Sequence, residues 1–234
     1  MDIAVIDYGG GNIFSVVHAL KRLGANPILT DKAEIIQKAD KVVFPGQGEA
    51  SSSMQNLRQK GLDEVIRNLR QPILGICIGQ QLMCSHSEEG DVDCLGIFDV
   101  PVLRLRPKDH TLKVPHMGWN CLRLTQDEGL RVKAAIKREQ SDACINYAER
   151  EQARCAASRV KDNGLFKGFE GGEYVYFVHS YYVPECPWTI ATSDYSLPLS
   201  AALHRDNFYA TQFHPEKSGK VGEQILKNFL EILN

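Results

Sequence analysis

The chain predicts an α/β fold: an open, mostly parallel sheet with helices on both faces, plus an antiparallel edge. Three observations predict it. Short apolar runs alternate with helical patterns through the first third of the chain. Each of those runs ends in a polar or glycine-rich loop, and a long amphipathic stripe closes the sequence.

Taken in order, Ile3-Ala4-Val5-Ile6-Asp7 reads as a strand and Gly9-Gly10-Gly11-Asn12 as a turn at its end. Ile13, Val16, Val17, Leu20 and Leu23 repeat at helical spacing, and Gly24 closes the helix. A strand follows near Pro27–Leu29, and another at Lys41–Phe44 ends in Pro45-Gly46-Gln47-Gly48. Helical signals over 49–70 lead to a strand at Pro72–Ile76. From Leu95 to Leu124 short apolar pieces alternate with Pro and Gly, as in hairpins or an antiparallel edge. Tyr174–Tyr182 and Trp188–Thr192 read as further strands. Val221, Ile225, Leu226, Phe229, Leu230 and Leu233 form the closing stripe. Parallel sheets bind ligands at the carboxyl ends of their strands, which here means the loops after Asp7, after Phe44 and at Cys77.

With 234 residues, 43% of them hydrophobic, the chain can bury one sizeable core, so a single domain over 1–234 is expected. A net charge of −2 supplies no basic field for nucleic acid or an anionic membrane. Residues 2–6 already read as a strand, leaving no room for a signal peptide, and no apolar run reaches membrane length. Seven cysteines without a C-x-x-C pair argue against a disulfide framework or structural zinc. A cytoplasmic setting is expected, with neither metal nor cofactor. Gly9–Asn12 lacks the spacing of a phosphate loop, and Asp7 reads as a strand-end cap.

The chemistry gathers at two places. Gly75-Ile76-Cys77-Ile78-Gly79 follows an apolar strand as a G-x-C-x-G elbow, whose sharp turn lifts one side chain out at a helix start. A thiolate there feels the helix N-terminus, and the backbone N–H of Ile78 can face a developing oxyanion. Downstream, His214 can move the proton and Glu216 can orient the imidazole. Alone, a cysteine closing a strand is usually a small core residue, and His-Pro-Glu can merely start a helix. Together they point to a cysteine hydrolase or acyl-transfer enzyme.

The same motifs resemble the class I (triad) glutamine amidotransferases, whose fold is flavodoxin-like. The class-level matches are Pro45-Gly46-x-Gly48, Gly75-x-Cys77-x-Gly79-x-Gln81 and His214-Pro215-Glu216. Within that class, four further stretches resemble the glutaminase subunits of imidazole glycerol phosphate synthase: Asp7-Tyr8-Gly9 through Asn12, Pro115–Asn120, Tyr176–Tyr182 and Gln212–Gly219. The resemblance implies a Cys77–His214–Glu216 triad that hydrolyses glutamine, with oxyanion donors at Gln47 and Ile78. It implies glutamine contacts from Gly48, Gln81, Glu89 and Ser180, although Glu89 read by itself is a solvated helix-end charge. It also implies a heterodimer with a (β/α)8-barrel cyclase, the HisF subunit, with Asn12, Trp119, Tyr176 and Lys217 at the interface or ammonia passage.

The chain departs from the resemblance in two places. Gln80 stands where the family more often has an apolar residue. Between Leu124 and Gly164, where the family has a short connection, an insertion at about 126–161 is rich in Arg, Lys, Glu, Gln and Ala. Its aliphatic residues are too widely spaced for a stripe, so a surface excursion without catalytic role is expected.

Overall fold

The computed structural model describes residues 1–9, 13–46, 48–108, 111–125 and 164–233. The Asn12 and Gln47 assignments and the 126–161 insertion lie outside them. The main sheet is built from β1 (Asp2–Ile6), β2 (Asn26–Thr30), β3 (Lys41–Phe44), β4 (Ile73–Ile76), β9 (Arg123–Leu124), β12 (Thr189–Asp194), β13 (Pro198–Arg205) and β14 (Phe208–Thr211). Its order is β2-β1-β3-β4-β14-β13-β12-β9. The first five strands run parallel, and the pairs from β14 outward are antiparallel. The expected fold class is the one observed.

Two apolar layers sandwich this sheet. On one face α1 (Phe14–Arg22) and the closing helix α6 (Gly219–Glu231) bury Val16, Leu20, Ile225 and Phe229 against Ile3, Val5, Val43 and Leu74. On the other face α2 (Ala33–Lys38), α3 (Ala50–Gln59), α4 (Leu62–Arg67) and α5 (Ile78–Leu82) pack Ile36, Met54, Leu57, Ile66 and Leu82 over Ala4, Ile6, Val42 and Phe44. Alternate residues of each strand serve opposite layers, so β1, β3 and β4 read as continuous apolar runs.

Differences from expectation have local causes. The 49–70 helical stretch is two helices, because Gly61 takes a φ of 65° between them. The closing stripe ends at Leu230, and Leu233, beyond the helix, is 90% exposed. Asp7 accepts the Gly9 N–H on Oδ1 (3.1 Å), the expected capping turn. The 95–124 stretch divides among three sheets: β9 closes the antiparallel edge of the main sheet, β8 (His116–Cys121) pairs antiparallel with β10 (Tyr174–His179), and β7 (Pro101–Arg104) joins β5 (His86–Ser87), β6 (Val92–Asp93) and β11 (Tyr181–Tyr182) in a small mixed sheet. Among the described residues no helix is long and apolar enough to cross a membrane.

Candidate active site

β4 carries the chain straight into Cys77, whose φ of 54° and ψ of −108° are strained for a residue with a side chain. Its N–H is tied to the Thr211 carbonyl of β14 at 2.7 Å, which anchors the turn. The elbow also needs close approach on its far side. A Cβ at Gly79 would lie 2.1 Å from the Phe44 carbonyl oxygen, so α5 can start here only with glycine. Among the described residues no partner takes up the Ile78 N–H, which stays available at the helix start.

β14 brings up the other half. The chain leaves it through Gln212 and Phe213, and the His214 N–H bonds the Tyr176 carbonyl of β10 at 2.9 Å. Ser218 fastens the loop from the far side: its hydroxyl donates to the His214 carbonyl (2.6 Å) and accepts the Tyr176 N–H (2.9 Å). Glu216, in a 3-10 turn at Pro215–Lys217, reaches back with Oε1 2.8 Å from His214 Nδ1, and each side chain is only 2% exposed.

A carboxylate accepts only, so the imidazole carries a proton on Nδ1 and turns Nε2 to the interior. That Nε2 is buried and lies beside the Cys77 thiol, close enough for the sulfur to act on the ring although short of a well-formed hydrogen bond. Burial works against an imidazolium, yet the Cys77 thiolate and the Glu216 carboxylate outweigh it and raise the His214 pKa to about 10. The imidazole beside Cys77 is thus favoured in its protonated form. Ile13, Val16, Pro45, Gly46 and Ile76 wall the crevice beside His214 and Glu216. A roomier surface hollow at Asp2, Ile28, Glu34 and Lys38 shares no residue with this site.

The family of this fold is decided by comparison over the whole chain. The family model described as Glutamine amidotransferase class-I matches residues 4–233. This chain belongs to that family. The subunit HisH of imidazole glycerol phosphate synthase from Bacteroides thetaiotaomicron is 52% identical over 232 residues, covering 99% of this chain and all of the relative. The Bacteroides fragilis (strain YCH46) subunit is 51% identical and that of Yersinia pseudotuberculosis 40%, each across 99% of this chain and all of the relative. At this identity and coverage the amidotransferase falls within the HisH group. Among solved structures, a glutamine amidotransferase superposes with a TM-score of 0.64 at 16% identity, covering 98% of this chain and 97% of that one. PurLQS of Thermotoga maritima gives 0.62 at 15%, with the same two coverages. These likenesses speak for the fold alone.

The remaining expected amidotransferase positions divide. Gly48 takes a φ of 147°, a region that favours glycine, between β3 and α3. Gln81 is buried on α5, and its Nε2 donates to the Tyr181 carbonyl (2.9 Å) and to Gln212 Oε1 (3.0 Å). Glu89 is half-buried and accepts the Ala50 N–H at 2.9 Å, so it caps a different helix, α3, and does not sit free in solvent. Desolvation, opposed by that N–H, raises its pKa. Ser180 lies at the β10–β11 turn, where its carbonyl accepts from Leu105 at 2.8 Å. Gln80 is buried and donates to the Ser200 carbonyl of β13 at 3.1 Å.

Trp119 and Tyr176 pair across β8 and β10 as a T-shaped couple, centroids 6.1 Å apart, with Trp119 55% and neighbouring Met117 62% exposed. Lys217 follows directly on Glu216 and is partly exposed. Sequence reasoning assigned no role to Gln212, although it stands in a quoted motif. Its Nε2 is 3.8 Å from Cys77 Sγ. Its place two residues before His214 was the available signal.

Proposed function

We propose that Cys77, His214 and Glu216 form the glutaminase triad, and that the ammonia released here is consumed by a HisF cyclase subunit. The Cys77 thiolate attacks the carboxamide carbon of glutamine, and the resulting oxyanion is met by the N–H groups of Ile78 and Gln47. The His214 imidazolium gives its Nε2 proton to the departing amine, leaving a γ-glutamyl thioester. Water, deprotonated by His214, then releases glutamate and restores the thiol. Gln81, Gly48, Ser180 and Glu89 hold the amino-acid end. No cofactor takes part.

The observation that carries this reading is a strained cysteine at a helix start facing an imidazole held by a buried carboxylate at 2.8 Å. The group name of the relatives supports the pairing with a synthase partner. The exposed Met117 and Trp119, with the half-buried Tyr176 against Trp119, support a docking face beside the site, because large aromatic side chains dominate such contacts. Asn12 and Lys217 belong to the same face in this reading. The complex is cytosolic and makes imidazole glycerol phosphate and aminoimidazole carboxamide ribotide. The test is synthase turnover by the purified pair with glutamine or with ammonium salt. Cys77→Ala should abolish the glutamine-driven reaction and spare the ammonia-driven one. Loss of both, or of neither, contradicts the assignment.

A further inference from the structure

The strand pair that exposes Met117 and Trp119 carries on its other face two buried histidines that the triad does not use. His116 Nδ1 and His179 Nε2 are 3.0 Å apart, and His179 Nδ1 is 2.8 Å from the Tyr181 carbonyl oxygen. These distances fix the direction of every bond. A carbonyl only accepts, so His179 bears its proton on Nδ1 and offers Nε2 as acceptor. His116 must then donate from Nδ1, which leaves its own Nε2 to accept from Asn120 Nδ2 at 3.4 Å. Asn120 is oriented in turn, since its Oδ1 accepts the Cys121 N–H (2.8 Å) and its Nδ2 also donates to the Asp194 carbonyl (2.9 Å).

Both rings stay neutral. Burial lowers the His116 pKa to about 4, and burial, then the neighbouring His116, lowers that of His179 to about 3. His116 is also gripped mechanically, stacked on Tyr195 at 3.9 Å and on Phe177 at 4.9 Å between centroids. The chain of bonds continues inward. The Tyr181 carbonyl that accepts from His179 also accepts from Gln81, whose second N–H goes to Gln212 Oε1. Both donors of the Gln81 amide are thereby used, and Oε1 is the one group it has left to offer. An amide oxygen suits a cationic ligand group, such as the α-ammonium of an amino acid.

We infer that Asn120, His116, His179 and the Tyr181 carbonyl form a positioning relay that sets the orientation of Gln81. The state of strand β8 would reach the amino-acid subsite through this relay. The inference rests on the reading above that Gln81 contacts glutamine. The relay residues touch no reacting atom, and their effect is on substrate affinity. Because β8 exposes Met117 and Trp119 on its other face, a partner seated there can alter the relay without touching the site.

The test uses the complex with its cyclase subunit, and kinetics plus imidazole nitrogen NMR. In the wild type both His116 and His179 should appear as neutral Nδ1–H tautomers, whereas Nε2–H at either ring overturns the relay. His116→Phe keeps the stack but removes the donor. It should raise the KM for glutamine about tenfold, the weight of one buried hydrogen bond, with ammonia-driven turnover unchanged. His116→Asn restores a donor near the Nδ1 position but packs less surface, so its KM should lie nearer the wild type while its Tm falls below that of His116→Phe. If KM instead follows Tm, the role is structural only and the inference fails. Gln81→Leu separates the underlying reading. Unchanged KM in that variant means that Gln81 does not contact glutamine, while a raised KM there with an unmoved His116→Phe refutes the relay alone.

Discussion

Replacing Glu216 by Gln leaves the size and the acceptor oxygen of the side chain but removes its charge, which makes it a sharp test of the triad electrostatics. The bond lost in strength is a single charge-assisted contact of 2.8 Å between side chains each 2% exposed. Such bonds contribute about 1.5–3 kcal/mol, which corresponds to a fall in kcat of roughly 10- to 150-fold. His214→Asn removes the proton carrier itself and should cost about 100- to 10,000-fold. The charge change also has a sign in pH. The His214 pKa is raised to about 10, with Cys77 and Glu216 as the raising influences. Without the Glu216 anion the imidazolium is less favoured, so the alkaline limb of the kcat/KM profile moves to lower pH. Stability follows the same linkage. A raised folded-state pKa contributes stability fully below the unfolded value near 6.5, and this is lost as pH rises through about 10. The Tm deficit of Glu216→Gln should therefore be largest in acid and shrink towards pH 10. Stopped assays across pH and thermal melts measure both. An unmoved alkaline limb, or a loss at Glu216 as large as at His214, would refute this assignment of roles.

Other outcomes follow from the same geometry. Gly79→Ala places a methyl 2.1 Å from the Phe44 carbonyl oxygen, a backbone atom, so α5 must shift. About 1–3 kcal/mol of stability and roughly 100-fold in activity should be lost, read by denaturant unfolding and glutamine turnover. A glutamine-like electrophile should alkylate Cys77 and spare Cys84, Cys94 and Cys186, whose thiol pKa values burial pushes up; peptide mapping decides it. In our reading of the docking face, Trp119→Ala should weaken binding of the cyclase subunit by about 2 kcal/mol or more while free-chain melting is unchanged, as calorimetry would report.

How far the sequence was legible depended on whether a signal was local. β1, β3 and β4 were readable because fully buried parallel strands appear as bare apolar runs closed by turn residues. β13 and β14 were not read. Phe208–Thr211 includes a Tyr and a Thr, so it is not a bare apolar run although all four residues are buried, yet it occupies the middle of the sheet between β4 and β13. α2 was missed for a similar reason: it buries only Ile36, too little for a stripe. The elbow was legible because its glycines meet a strict steric demand, and the structure puts Cys77 in the strained conformation expected there. Glu89 was not, because the helix it caps lies about forty positions back in the sequence, at Ala50. The histidine relay was equally hidden. Its bonds join positions 63 apart, and nothing in Pro115–Asn120 or Tyr176–Tyr182 announces the tautomers that the fold imposes.

The central claim is covalent, and trapping the intermediate tests it most directly. The complex turning over glutamine should be quenched in acid within the steady state, digested and examined by mass spectrometry. The account predicts a γ-glutamyl adduct on the peptide carrying Cys77, absent from Cys77→Ser and accumulating when His214 is replaced by a residue that cannot activate water. Glutamine turnover with an unmodified Cys77 peptide under all of these conditions, or an adduct on another residue, would contradict it.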